Sequence, residues 1–234
     1  NPSRSASPAH LSGATGDGQA RAFWSGNSDA YSQDTFDLKI SGGEMEFDQV
    51  FDPSVTACQG ISSAGIYTLT QSITNTTNCI NISSSNVELN LAGYTITYGS
   101  GGTGRGVNVA SVVNVTIKNG NIEKSTADVT TANNYGISFS SVSNSTITNL
   151  TIVTNGTTSN VGIDLVGSSG SNISHNNITA KGNTGGGNYG INSYDNFVAV
   201  RYNIISFNTI RTNSGASNGN YGIEFGGEGN PSHN

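Results

Sequence analysis

Two carboxylates in the C-terminal half of the chain could do acid–base chemistry on a sugar. Asp164 and Glu224 fill the same place in a recurring motif, Gly-Ile-X-apolar. The X side chain alternates with two apolar ones and so points away from a core. If each copy is one layer of stacked strands, two layers separate the pair, or about 9.6 Å at about 4.8 Å per layer. That lies near the upper end of the spacing an inverting glycosidase uses to seat water between its acid and base. No further carboxylate, histidine or arginine converges on the column in the sequence pattern. The column, Asn108, Ser138, Asp164, Asn192 and Glu224, therefore reads first as a polar outer ladder. No catalytic site is predicted, and Asp164 and Glu224 stand as the only candidates.

Metal chemistry has less to work with. His175 and His233 share a motif position two layers apart, too far for one ion whose ligands stand about 2.0 Å away. Met45 is the single methionine, which argues against a copper site of Met and His. Asp29, Asp34, Asp37, Glu44, Glu46, Asp48 and Asp52 crowd one stretch without the spacing of a calcium loop, so they read as a solvated acidic segment. No Gly-rich phosphate loop and no Ser–His–Asp arrangement is present, and no cofactor is expected. A net charge of −6, with nine Lys and Arg and no basic cluster, excludes a nucleic-acid partner. No apolar run is long enough to span a membrane.

A repeat must position the two acids. Its copies begin RGVNV, YGISF, VGIDL, YGINS and YGIEF, with Gly106, Gly136, Gly162, Gly190 and Gly222 in register. Each copy but the last contains two isoleucines five residues apart: Ile117 and Ile122, Ile147 and Ile152, Ile173 and Ile178, Ile205 and Ile210. One turn earlier, Leu91 and Ile96 take the same places. The apolar positions are strict while the loops between them, such as VTNGTTSNV and TAKGNTGGGNY, vary in length. These loops end in Asn, then Tyr or Val, then Gly, a corner suited to residues that tolerate positive φ. The strand-like pieces are short, β-branched and surrounded by helix breakers. One trio of such strands cannot bury its own apolar face, but stacked trios bury every isoleucine against those above and below. The expected fold is all-β: a parallel β-helix, a three-sheet solenoid, over 58–234. Asn119 with Asn149, and Asn176 with Asn208, should form amide ladders along it.

The stretch from Cys58 to Ile73, CQGISSAGIYTLTQSI, followed by NVELNLAGYTI at 86–96, resembles the first coils of right-handed parallel β-helix repeat proteins. More narrowly, with NSTITNLTI and SNISHNNIT, it is similar to the pectin-lyase-like, NosD-type surface proteins of archaea and some bacteria. That family includes lyases, hydrolases, binding modules and structural proteins, so the resemblance implies a fold more than an activity. The Asn-Thr-Asp, Asp-Asp, Gly-His-Gly and Arg-Ile-Lys motifs of polygalacturonase-like hydrolases are missing, as are the clustered acids of a calcium-dependent pectate lyase.

Ahead of the coils, residues 1–34 show no sustained pattern, and 35–57 read as a β-hairpin in which TFDLKI and EMEFDQVF cap the first coil. Cys58 and Cys79 are either one disulfide stapling this entrance or two buried thiols; an extracellular setting favours the bridge. Eight Asn-X-Ser/Thr sequons, at Asn75, Asn81, Asn114, Asn144, Asn149, Asn155, Asn172 and Asn177, suit an exported, glycosylated surface. The last copy, YGIEFGGEGNPSHN, stops before its isoleucine pair, so either more protein follows or a neighbouring subunit completes the coil. The functional expectation is a structural subunit of an extracellular surface layer, sheath or filament, with copies of itself as partners. The alternative is a module that binds or cleaves cell-surface glycans along an outer sheet.

Overall fold

The computed structural model describes residues 35–41, 44–50, 53–195, 202–214 and 219–227. Every regular element among them is a β-strand. Strands β1 (Thr35–Ser41) and β2 (Glu44–Val50) pair antiparallel, Leu38 opposite Phe47, as the expected hairpin. Its side chains, residues 1–34 and 228–234 lie outside the described residues, and with them the capping role, His233 and the unfinished end of the last copy.

All later strands pair in parallel, forming a β-solenoid of about five turns. One face stacks β4 (Gly60–Ile61), β7 (Ile80–Ile82), β10 (Arg105–Ala110), β12 (Tyr135–Ser140), β14 (Val161–Val166), β17 (Tyr189–Asp195) and β20 (Tyr221–Gly227). A second stacks β3 (Ser54–Val55), β5 (Gly65–Leu69), β8 (Val87–Asn90), β11 (Val115–Lys124), β13 (Thr146–Thr154), β15 (Asn172–Ser174) and β18 (Ile204–Ser206). The third is made by β6 (Ile73–Thr74), β9 (Thr95–Tyr98), the later halves of β11 and β13, β16 (Asn177–Gly182) and β19 (Thr209–Ser214). Because β11 and β13 bend through Asn119 (φ 61°) and Asn149 (φ 54°), each serves two faces. Asparagine tolerates this left-handed backbone better than most residues. No hydrogen bond joins these two amides among the described residues; the ladder expected there is instead a pair of corners.

Register follows the isoleucines. Ile117, Ile147, Ile173 and Ile205 pair in sequence on the second face, and Ile96, Ile122, Ile152, Ile178 and Ile210 on the third. Most of these side chains are fully buried, each contributing about 1.5–3 kcal/mol relative to exposure. Leu89, not Leu91, pairs with Ile117. The corner of that early coil is longer, and Leu91 drops into it, where a Cβ on Gly120 would lie 2.5 Å from its own.

The repeated glycine has a packing cause. A Cβ at Gly106, Gly136, Gly162 or Gly190 would fall 2.2–2.4 Å from the Cγ2 of Ile122, Ile152, Ile178 or Ile210 across the coil. The motif glycine and the second isoleucine are thus one unit: the missing side chain makes room for the β-branched one. The asparagine before the motif also acts otherwise than expected. Positive φ belongs to the preceding residue, Asn133, Ser159, Gly187 or Gly219. Asn134, Asn160 and Asn188 are buried, and their amides run in a line: Asn134 Nδ2 donates to Asn160 Oδ1 (2.9 Å), Asn160 Nδ2 to Asn188 Oδ1 (3.0 Å), and Asn188 Nδ2 to Asn220 Oδ1 (2.9 Å). The expected Asn176–Asn208 ladder is present at 3.0 Å.

Candidate functional site

The candidate acids lie on the outer side of the first face. Val107, Ile137, Ile163 and Ile191 form its buried inward column, and the alternating outward column reads Asn81, Asn108, Ser138, Asp164, Asn192 and Glu224 in parallel register. Beside it runs a second outward column, three residues earlier on each strand: Arg105, Tyr135, Val161, Tyr189 and Tyr221. Stacked coils therefore bring together side chains that are 26–32 residues apart in the chain.

Outward did not mean exposed. Asp164 is only 6% exposed, and Ser138 is buried as well. Neighbours on the same face cover the carboxylate. The Tyr135 phenol is close enough for the Asp164 charge to raise its pKa, after burial, which raises it most. The Arg105 guanidinium in turn stands 5.1 Å from the centre of the Tyr135 ring. Asn192 Nδ2 donates to Asp164 Oδ1 at 2.8 Å, the single hydrogen bond to this carboxylate among the described residues. Burial pushes the Asp164 pKa from 3.8 to about 6, against the opposing effects of the Asn192 hydrogen bond and the Arg105 charge.

Glu224 is half-buried two coils further on, with Asn192 between it and Asp164 in the column. Tyr189 and Tyr221 stack beside it, ring centres 5.8 Å apart and planes 8° apart. The Tyr189 phenol is raised by burial first, then by the charge of Glu224 and a hydrogen bond to it. The two acids thus share a column but sit in separate surroundings, one enclosed and one at a tyrosine stack. The sequence placed the column, but not Arg105, Tyr135 and Val161 beside it: the motif glycine and the residue after it both face inward, which breaks the alternation and returns the residue three earlier to the outer side.

Other expected site residues sort by geometry. Cys58 and Cys79 form a disulfide, Cα atoms 4.5 Å apart, which ties the first two coils of the first face. Asn114, Asn144 and Asn149 have φ of 58°, 52° and 54° and occupy exposed corners. Their sequons follow from the coil itself, an asparagine at a left-handed corner and a hydroxyl residue opening the next strand. Asn81, Asn172 and Asn177 are exposed on strands, and Asn75 and Asn155 are half-buried in turns. His175 stacks on Phe207, centroids 5.1 Å apart. No group of three or more His, Cys, Asp or Glu that could hold a metal occurs among the described residues. No helix there is long and apolar enough to cross a membrane.

The outer side of the second face changes character at its last described coil. Corner and strand positions held earlier by Asn144 and Gly170, by Asn172, and by Asn149 and His175 become Tyr202, Ile204 and Phe207. These three are 72%, 60% and 80% exposed.

No protein-family model matches the chain, and comparison with characterised proteins and with solved structures finds no match. The fold itself defines the class: a parallel β-solenoid of about five turns with one disulfide and a polar, tyrosine-lined outer column.

Proposed function

We propose that this protein is a structural subunit of an extracellular layer, sheath or filament, built from copies of itself packed through their outer faces or ends. The reading keeps company with the NosD-type surface proteins that its first coils resemble. The observation that carries it is the exposed trio Tyr202, Ile204 and Phe207, set where earlier coils present polar or small residues. With aromatic side chains burying about 150–250 Å² each, the patch is on the order of 400 Å², within the range of a typical monomer's largest apolar patch, which is often a functional one. The disulfide supports an oxidising, extracellular setting. Electron microscopy of the concentrated protein should show rods or sheets, and the triple change Tyr202→Ser, Ile204→Thr, Phe207→Asn should disperse them. Strictly monomeric wild-type protein at high concentration would overturn the reading.

A second reading, contact with cell-surface glycans, is favoured by one feature. Arg105, Tyr135, Asn192, Tyr189 and Glu224 line one outer face, offering ring faces beside hydrogen-bonding groups. Glycan-array binding that is lost in Tyr189→Ala would support it; equal binding by that variant would remove this face from consideration.

A further inference from the structure

The coil that begins at Val161 departs from its neighbours twice. In the flanking column every other coil from β10 to β20 carries arginine or tyrosine, and this one carries valine. In the outward column its immediate neighbours carry Ser138 and Asn192, and this coil carries Asp164. The missing ring and the added charge lie on one strand, three residues apart. From these we infer that the outer face around Val161 and Asp164 is a binding site for a planar organic cation, a guanidinium group in the first instance. This site goes beyond the structural role proposed above and does not depend on it.

Size comes from the stack. Tyr135 and Tyr189 belong to coils two steps apart, about 9.6 Å, so a flat group in the place a tyrosine would have held lies about 4.8 Å from each. That is within the range of about 4.5–7 Å at which stacked rings meet. Neighbouring side chains close over the gap, since Val161 and Asp164 are both buried, and the cation takes its place by parting them. Tyr135 is only half-buried and its phenol makes no hydrogen bond among the described residues.

Charge comes from two carboxylates and the tyrosine faces. Asp164 is nine-tenths buried with a single hydrogen bond, on Oδ1, which leaves Oδ2 without a donor among the described residues. Arg105 makes no ion pair with it, although its charge acts on the carboxylate: the one ion pair among the described residues is Lys118 with Glu88. The Arg105 guanidinium rides on Tyr135, and its Nε is buried without a partner. It shows that a guanidinium is accommodated on this ladder, two coils before the acid. A second guanidinium at the Val161 rung would donate to Asp164 Oδ2 and lie against tyrosine faces, which attract cations. Glu224, further along the column, adds to the negative field.

The test uses argininamide and citrullinamide, which has the same α-amine but an uncharged, equally flat ureido side chain, followed by NMR of the Asp164 carboxyl carbon and the Asn192 side-chain amide in the full chain. Argininamide should shift both signals saturably, with citrullinamide at least about tenfold weaker. Asp164→Asn, which puts the residue of the next coil at this place, should abolish the response, as should Val161→Tyr, which fills the rung. The melting temperature of each variant checks that the coil is intact. No shift with argininamide, equal shifts with both probes, or an unchanged response in folded Val161→Tyr would each overturn the site.

Discussion

Replacing Asp164 by asparagine removes a buried charge while nearly preserving the shape of the side chain. Asn192 Nδ2 keeps an acceptor, because the amide oxygen can take the place of Asp164 Oδ1. Burial lifts the folded-state pKa from 3.8 to about 6. The unfolded chain therefore releases this proton near pH 4, and the folded chain only near pH 6. Below pH 4 the group is neutral in both states and costs nothing. As pH rises from 4 to 6 folding loses stability, and above 6 the loss is complete. At about 1.4 kcal/mol per pH unit the wild-type penalty is about 3 kcal/mol. Asp164→Asn should recover about that much at pH 8 and almost none at pH 3.5. Urea unfolding of both proteins at the two pH values, followed by circular dichroism, measures the difference directly. An equal effect at both pH values would refute the desolvation argument, and so would a loss of stability at pH 8, since that would mean the charge is compensated in the folded state.

Four further outcomes follow from the coil geometry. Gly162→Ala sets a Cβ 2.3 Å from Ile178 Cγ2 and 2.5 Å from the Gly190 carbonyl, and should cost about 1–3 kcal/mol in thermal unfolding. The same change at Gly222, where the nearest atom is 3.9 Å away, should cost well under about 1 kcal/mol. Asn160→Ala breaks the buried amide line, leaving the Lys181 carbonyl and the Asn134 amide short of a partner, for about 2–4 kcal/mol by urea titration. Reducing Cys58–Cys79, which closes a separation of 21 residues, should cost about 3 kcal/mol, with faster amide exchange in the first two coils than in the last two.

Much of this was legible in one dimension. The two isoleucine columns and the motif glycine declared the solenoid because each coil must present the same shape to the next, so core positions cannot drift while turns can. The disulfide was legible as one of two options, and the structure chose the bridge. Leu91 was misplaced because a five-residue rule was carried into a coil whose corner is longer, a matter decided by how Ala92 and Gly93 turn the chain. The asparagine before each motif looked like a corner residue because asparagine suits corners. Only stacking reveals that its amide finds the same amide one coil away and becomes a buried line.

The candidate site shows the same division. Alternation along Ile163–Asp164–Leu165 fixes which side Asp164 faces, since neighbouring side chains on a regular strand leave it on opposite sides. Whether that side is wet depends on Arg105 and Tyr135, 59 and 29 residues earlier in the chain and brought alongside by parallel pairing of three successive coils. The sequence by itself determined the periodic core, the order of the columns and the outward direction of the acids, because these rest on local periods of two residues and one coil. Tertiary structure alone decided that Asp164 is enclosed and its charge resisted, because desolvation is set by everything around a group, and here those surroundings come from other coils.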